Sequence, residues 1–319
     1  MSKQNGAAKK SIFKDQRVLL GIVIIAIIAV VSFINPKFIA VKNMITILQQ
    51  ISVTGILTMA MSILLIGGGV DLSIGNLMVL SGVSMAELIS LGYSVPIAVL
   101  AGIAVGIAGG LLNGVIIARS KCIPLIITLG TSQVFYGLAL TVSGGRIMSF
   151  DGAFNFIGKT KLGGVFPVML FVLAIVIVIS YIVMNYTKFG RRLTCIGGNE
   201  KTAFLSGINV VRYKAIMYGI AGFYCAIAAI VFSSRIDSIT ANAGSGYETN
   251  ALTAAIIGGV TFDGGKGTIT GAFLGCILMG VISNAMNILK VETYVQTIIT
   301  GVIIVCAVVL SNYNNIKRS

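Results

Sequence analysis

Residues 67–76 read "GGGVDLSIGN" and sit between two long apolar runs. Three consecutive glycines and the bare carboxylate of Asp71 suit the interior of a membrane helix poorly. Glycine lets a backbone reverse sharply without a Cβ clash. Asp71 is well placed as an N-cap, its carboxylate accepting from the backbone N–H groups near Ser73 and Ile74. Non-helical backbone at membrane depth is tolerated only where protein covers it or water reaches it. The stretch therefore reads as a helix break made of a cap and a turn, with a direct ligand role for Asp71 as the alternative. Asp71, Ser73 and Asn76 are accordingly candidate residues of a translocation path or gate.

Working outward, the composition sets the class. The 319 residues are 56% hydrophobic and only 10% charged, with a mean hydropathy of +1.01, whereas a globular domain carries about 25% charged residues. This is the signature of an all-α, polytopic membrane protein whose partner is the lipid bilayer. The net charge of +14 comes from basic residues scattered at the ends of apolar runs rather than gathered on one polar face, which argues against nucleic acid. The five cysteines lie far apart with no CxxC pair, so neither a disulfide framework nor a zinc site is indicated. The basic start through Arg17 followed by an apolar run resembles a signal peptide, but Asn35-Pro36-Lys37 replaces a small-residue cleavage site. The run is read as an uncleaved first span.

About ten spans of near membrane length can be drawn: 18–34, 44–66, 71–89, 95–118, 123–142, 165–184, 213–233, 248–259, 268–289 and 294–310. The third and eighth are short or polar, and each touches a glycine-rich break. With the N-terminus inside, sixteen of the 23 basic residues fall on the cytoplasmic side and seven outside, so both termini are expected in the cytoplasm. The organisation is then a basic cytoplasmic segment (1–17), one transmembrane domain (18–311) with a cytoplasmic loop at 188–214, and a cytoplasmic tail (312–319). Gly102, Gly106, Gly110 and Gly114 recur every four residues and give one helix a smooth stripe for a close neighbour.

Three more polar stretches stand out. In 188–214, "KFGRRLTCIGGNEKTAFLSGINVVRYK", Asn199 can cap a short helix ended by Gly207, with Ala203, Phe204 and Leu205 giving it an apolar face. Such a face suits docking into a partner; a basic loop held by anionic lipid is the plainer alternative. The stretch 234–250 is expected to face outward, and its Tyr247 and Glu248 make it a gate, an external docking surface or a simple loop. In 258–271, "GGVTFDGGKGTITG", Lys266 is followed by Gly267, so the phosphate-loop spacing is absent, and a tight cytoplasmic turn is expected.

Catalytic chemistry is missing. There is no histidine, hence no Ser–His pair and no H-E-x-x-H metal site. The aspartyl-protease pattern fails because Asp71 is one residue out of a G-x-G-D frame and no Y-D occurs. No catalytic residue and no metal ligand is assigned. Ion-driven carriers bury several ionisable groups, whereas here only Asp71, Glu87 and Glu248 fall in spans, all towards the ends. The energy source is therefore expected on another polypeptide, with a gradient-driven carrier as the rival and an intramembrane hydrolase as a third.

Taken together, "GGGVDLSIGN", "KCIPLIITLGT", "GRRLTCIGGNEKTAFLSGINV" and "AGSGYETNALTAAIIGGVTFDGGKGTITGAFLG" resemble the permease family of ABC sugar importers typified by the ribose transporter, within the branched-chain/ribose permease superfamily. The likeness runs in order from about Met44 to the C-terminus. It implies a multi-pass permease of the bacterial cytoplasmic (inner) membrane that pairs with a second copy or a paralogue. Two ATPase domains, often one tandem chain, would bind ATP-Mg and power it, so the permease itself carries no cofactor. An extracytoplasmic binding protein would deliver a monosaccharide such as ribose, another sugar, or autoinducer-2. By the same resemblance Gly197, Asn199, Glu200, Ala203, Gly207 and Ile208 match the ATPase-coupling loop, Asp71, Leu72, Ser73 and Gly75 the GGxDLSxG stretch, and Gly246, Tyr247 and Glu248 the outward G-Y-E. Gly69, which makes a third glycine, and Phe204 depart from the pattern.

Overall fold

An apolar chain in lipid must pair every backbone N–H and C=O within itself, which leaves helices as the economical answer. The computed structural model describes residues 16–120, 122–162 and 166–316. Of the basic segment 1–17 only Gln16 and Arg17 fall within them, and Lys121 and the last three residues of the tail lie outside. The long helices are α1 (Gln16–Ile34), α2 (Val41–Ile66), α3 (Ile74–Ser90), α4 (Val95–Ser120) and α5 (Pro124–Ser143). After the short α6 (Asn155–Lys159) come α7 (Met169–Tyr186), α8 (Lys188–Gly198), α9 (Glu200–Leu205) and α10 (Val210–Ile236). The chain closes with α11 (Tyr247–Ile257), α12 (Ile269–Ile288) and α13 (Thr293–Ile316). Two antiparallel two-residue ladders complete it: β1 (Met148–Ser149) with β4 (Ser238–Ile239), and β2 (Lys161–Leu162) with β3 (Phe166–Pro167).

Each expected span falls on a helix. Seven of them, α1, α2, α4, α5, α7, α10 and α12, are long and apolar enough to cross a membrane. The two spans that looked weak in the sequence are the short helices: α3 has 17 residues and α11 has 11. At 1.5 Å per residue, α11 covers only about half of a bilayer core.

The centre of the bundle is α2, which packs against α7, α10, α11 and α12. From Ile51 to Ile66 every residue except Thr54 is buried. Around it, α1, α5, α7 and α13 turn large apolar side chains outward, among them Ile25, Phe33, Ile126, Ile175 and Ile298. So continuous an apolar surface belongs in lipid or against a partner.

The glycine stripe of α4 lies on two neighbours. A methyl group at Gly106 would press on the Gly222 carbonyl, one at Gly110 on the Tyr218 carbonyl, and one at Gly114 would stand 2.8 Å from Ala215 Cα, all on α10. At Gly102 it would strike the Met85 side chain of α3. Backbone therefore meets backbone along α4–α10, the close approach that small residues permit where lipid offers no hydrophobic drive.

Two stretches differ from expectation. The loop 188–214 contains α8 in addition to the short helix at 199–207, because Thr187 accepts from Gly190 N (3.2 Å) and starts a helix there. The stretch 234–250 is more than a simple loop, one of the readings its sequence allows. After β4 it turns back along α3, where a methyl at Gly82 would touch Ile239, and Gly244 lies against the Gly75 carbonyl. The charges at its ends mark it as a loop, but the small residues Ala241 and Gly244 between them are buried.

These contacts give a paired expectation. Gly110→Val should lower the thermal stability of the protein in detergent by about 1–3 kcal/mol through overpacking against α10. Gly137→Val on α5, where an added carbon meets nothing within 4 Å, should leave it unchanged. Equal melting curves for both would refute the backbone contact.

Candidate functional site

A helix that begins inside a bundle leaves its first N–H groups without intrahelical partners and a partial positive charge at its end. Here two such ends meet. The first turn of α3 touches the turn that leads into α11, through Gly75 and Gly244. Each end has a carboxylate.

At α3 the carboxylate is that of Asp71, fully buried. Its Oδ1 accepts from Ser73 N (2.7 Å) and from Ser73 Oγ (2.5 Å), and its Oδ2 from Asn113 Nδ2 of α4 (3.2 Å). Asn113 Nδ2 also donates to Ser73 Oγ (2.9 Å). The expectation that Asp71 is the N-cap is corrected: α3 starts at Ile74 with Ser73 as its N-cap and no side-chain cap bond. Asp71, two residues before the cap, accepts the N–H of Ser73 and none from the first turn. Asp71, Ser73 and Asn113 thus bond to one another, while Asn113 Oδ1 is buried without a hydrogen-bond partner. Next along α3, Asn76 donates to Ser132 O (3.1 Å) and Ser132 Oγ (2.9 Å), tying α3 to α5.

At α11 the carboxylate is that of Glu248, whose Oε1 accepts from Gly246 N (3.2 Å). Its Oε2 lies beside Gly75: a methyl there would be 2.5 Å from it. One side chain therefore serves the start of its own helix and stands at the start of α3. Its neighbour Tyr247 packs edge-on against Phe232 of α10, ring centroids 6.2 Å apart.

Tyr247 also lines a cavity of about 350 Å³ between α2, α11, α12 and α13, together with Gln50, Thr54, Arg235, Asn250 and Gln296. Gln50 Oε1 is buried and has no hydrogen-bond partner. Donors and acceptors share the lining with apolar side chains such as Ile51, Met279 and Met286, and no carboxylate is among it. The volume is that of a small-molecule site. Of the five path candidates only Tyr247 lines this cavity; Asp71 and Ser73 belong to the polar knot, Asn76 ties α3 to α5, and Glu248 stands at the start of α11.

The remaining candidates lie at the basic end of the bundle. Asn199 Oδ1 accepts from Thr202 N (2.9 Å) and starts α9. Gly207, at φ +79°, lets the chain turn so that Ile208 N reaches the Ala203 carbonyl (3.1 Å). Glu200 pairs with Lys214 of α10 at 2.5 Å. Ala203 is buried with Ile196 and Val210 in a small separate core. Gly197 is packed against the end of α2. Among the described residues no three His, Cys, Asp or Glu side chains gather to hold a metal.

Asn113, Gln50, Gln296 and Thr300 escaped sequence reasoning. Asn113 had a signal, a lone amide inside an otherwise apolar run beside Gly114. The others are single polar residues whose convergence depends on tertiary packing.

A bundle of apolar helices with interrupted spans whose polar starts turn inward defines a multi-pass membrane permease. The chain belongs to the family described as branched-chain amino acid transport system / permease component, whose model matches residues 43–308. It is 35% identical to the ribose import permease protein of Bacillus subtilis over 91% of this chain and 90% of that one. Against the D-allose transport system permease protein of Escherichia coli it is 35% identical over 89% of this chain and 88% of the other. Against the L-arabinose transport system permease protein of Escherichia coli the identity is 34%, over 98% and 97%. No solved structure matches the chain.

The knot makes a graded prediction. Asp71→Ala strands three donors in a buried site, at about 1–3 kcal/mol, and should cut uptake and thermal stability more than Asp71→Asn, which keeps an acceptor for Ser73. Asn113→Asp alone sets a second carboxylate beside the first and should be worse than Asp71→Asn. The double variant Asp71→Asn/Asn113→Asp restores a donor–acceptor pair and should recover. Indistinguishable melting and uptake across the four would remove the knot's role.

Proposed function

We propose that this chain is the membrane permease subunit of a binding-protein-dependent importer that carries a monosaccharide into the bacterial cytoplasm. The substrate class rests on its relatives, which are named as permeases for ribose, D-allose and L-arabinose. The polar cavity supports it: hydroxyl-rich solutes are matched by amides, hydroxyls and an arginine rather than by carboxylates. On this reading the cavity is the outer mouth of the path, with Tyr247 and Arg235 beside it. The charge bias puts α8, α9 and both termini in the cytoplasm.

The observation that carries the energy source is α9. Phe204 and Leu205 are 68% and 75% exposed on a helix that is pinned at both ends. Two large apolar side chains held rigid outside the bundle suit insertion into a groove of a partner. That partner is a separate ATPase that binds ATP-Mg, so this chain hydrolyses nothing. A second permease copy or paralogue completes the path, and an extracytoplasmic sugar-binding protein delivers the cargo.

Mass spectrometry of what co-purifies with the gently solubilised chain tests the assembly: an ABC ATPase and a sugar-binding protein are expected, and a chain that stays alone after cross-linking overturns it. Phe204→Asp should weaken ATPase binding at least about tenfold, as loss of a buried aromatic anchor does, without changing the melting curve of the permease. Separately, Gln50→Leu should slow uptake of labelled D-ribose, D-allose or L-arabinose while leaving ATPase docking intact. Unchanged uptake of all three would take the cavity out of the path.

A further inference from the structure

Three glycine-bearing segments from distant parts of the sequence touch at the basic end of the bundle. They are the break after α2 (67–69), the end of α8 (197–198) and the turn between α11 and α12 (264–265). Their contact is backbone on backbone. Gly265 N donates to the Ile66 carbonyl at 2.9 Å. A methyl on Gly197 would collide with that same carbonyl and stand 2.7 Å from Gly265 N. One on Gly264 would be 2.7 Å from Gly197 O and 2.9 Å from Gly68 Cα, and one on Gly265 would be 2.6 Å from Gly198 Cα. Gly68 (φ +76°) brings its own α-carbon face to Gly197, where an added carbon would be 3.2 Å from Gly197 Cα.

The three segments lead to different places. The first runs straight into Val70 and Asp71 and so into α3, and Tyr218 Oη of α10 donates to the Val70 carbonyl at 2.9 Å. The second is continuous with α9. The third lies between α11 and α12, braced by Thr261 N donating to Lys266 O (3.1 Å). Both interrupted spans are thus reached from one point at the end of α8.

The α8–α9 unit is seated on the first turn of α10. Phe189 stacks on Tyr213 of α10 at 5.5 Å, Arg192 donates to Tyr213 Oη at 2.7 Å, and Ile196 of α8 and Ala203 of α9 share a small core with Val210 of α10. Leu193 is fully buried against the first turn after α2. Packed interfaces of this kind shift as units rather than deform continuously.

We propose that the contact of Gly197 with Ile66 and with Gly264–Gly265 is the joint that carries movement of the α8–α9 unit to α3 and α11 together. Gly197, Gly264 and Gly265 are positioning residues for transport and touch no cargo. The inference rests on the reading of α9 as the ATPase-docking helix.

The test uses the permease–ATPase complex in proteoliposomes. Gly197→Ala should lower labelled sugar carried per ATP hydrolysed by about tenfold or more, the effect of a misfit worth more than about 1.4 kcal/mol, with the ATPase still bound and hydrolysis retained. Gly198→Ala, the adjacent residue, meets nothing within 4 Å and should leave the ratio unchanged. Should Gly197→Ala not accumulate, amide exchange in the wild-type complex decides: addition of ATP should alter protection of 66–70, 196–198 and 261–266 together. An unchanged ratio in Gly197→Ala, an equal loss in Gly198→Ala, or exchange that changes at 196–198 alone overturns the joint. A Phe204→Asp complex that keeps its ATPase overturns the docking reading instead, so the two failures are distinct.

Discussion

Starting a helix inside a bilayer leaves backbone donors that water cannot reach, and the arrangement around α3 and α11 follows from that constraint. Asp71 meets part of it by accepting the N–H of Ser73, the residue before α3, and Glu248 by accepting that of Gly246, the residue before α11. The two solutions are interlocked, because Glu248 lies against Gly75 and Asp71 is held by Asn113 of α4. An unsatisfied carboxylate or amide in such surroundings would be expensive, so α3, α4 and α11 have little freedom to drift apart one at a time. The close α4–α10 approach then fixes this group against the longest helix of the bundle.

The bundle has two mechanical regimes. In its middle, α2 and α10 are largely buried, and α10 runs against both α2 and the inner face of α4. At the basic end, α8 and α9 meet α10 through a small core, the Glu200–Lys214 ion pair and the Tyr213 side chain, and meet the two glycine-rich breaks through Leu193 and glycine backbone. Where glycine backbone makes the contact no side chains interdigitate, so relative movement there requires little repacking. A permease that opens alternately to two sides needs this difference between a stiff middle and a yielding joint.

Much of this was readable from residue order. The apolar runs, the basic bias, the two glycine-rich breaks, and the Asn199 and Gly207 signals for α9 all follow from local chemistry. What was not readable depended on distance in sequence. Asn113 meets Asp71 across 42 positions; its lone amide in an apolar run marks it as unusual, but nothing local names its partner. The inward fold of 234–250 was hidden because Arg235, Asp237 and Glu248 mark its ends as solvent-like, while Gly244 fits only because Gly75 lacks a side chain. The cavity draws single polar residues from α2, α11 and α13, and each alone resembles ordinary helix polarity. α8 escaped because its glycines and arginines read as loop, yet its buried face is only Gly190, Leu193 and Ile196.

Arg235 in the cavity wall has one more effect. A bacterial membrane holds a potential that drives cations inward, worth about 2.3 kcal/mol per elementary charge per 100 mV. Any channel wide enough for a hydrated solute is a threat of leakage to sodium ions and protons. A guanidinium never loses its charge at physiological pH, and Arg235 holds that charge exposed at the rim of the cavity, where it repels other cations. On the proposed reading of the cavity as the outer mouth, the side chain that offers hydrogen bonds to a neutral cargo also makes the entrance inhospitable to the ions that would discharge the membrane.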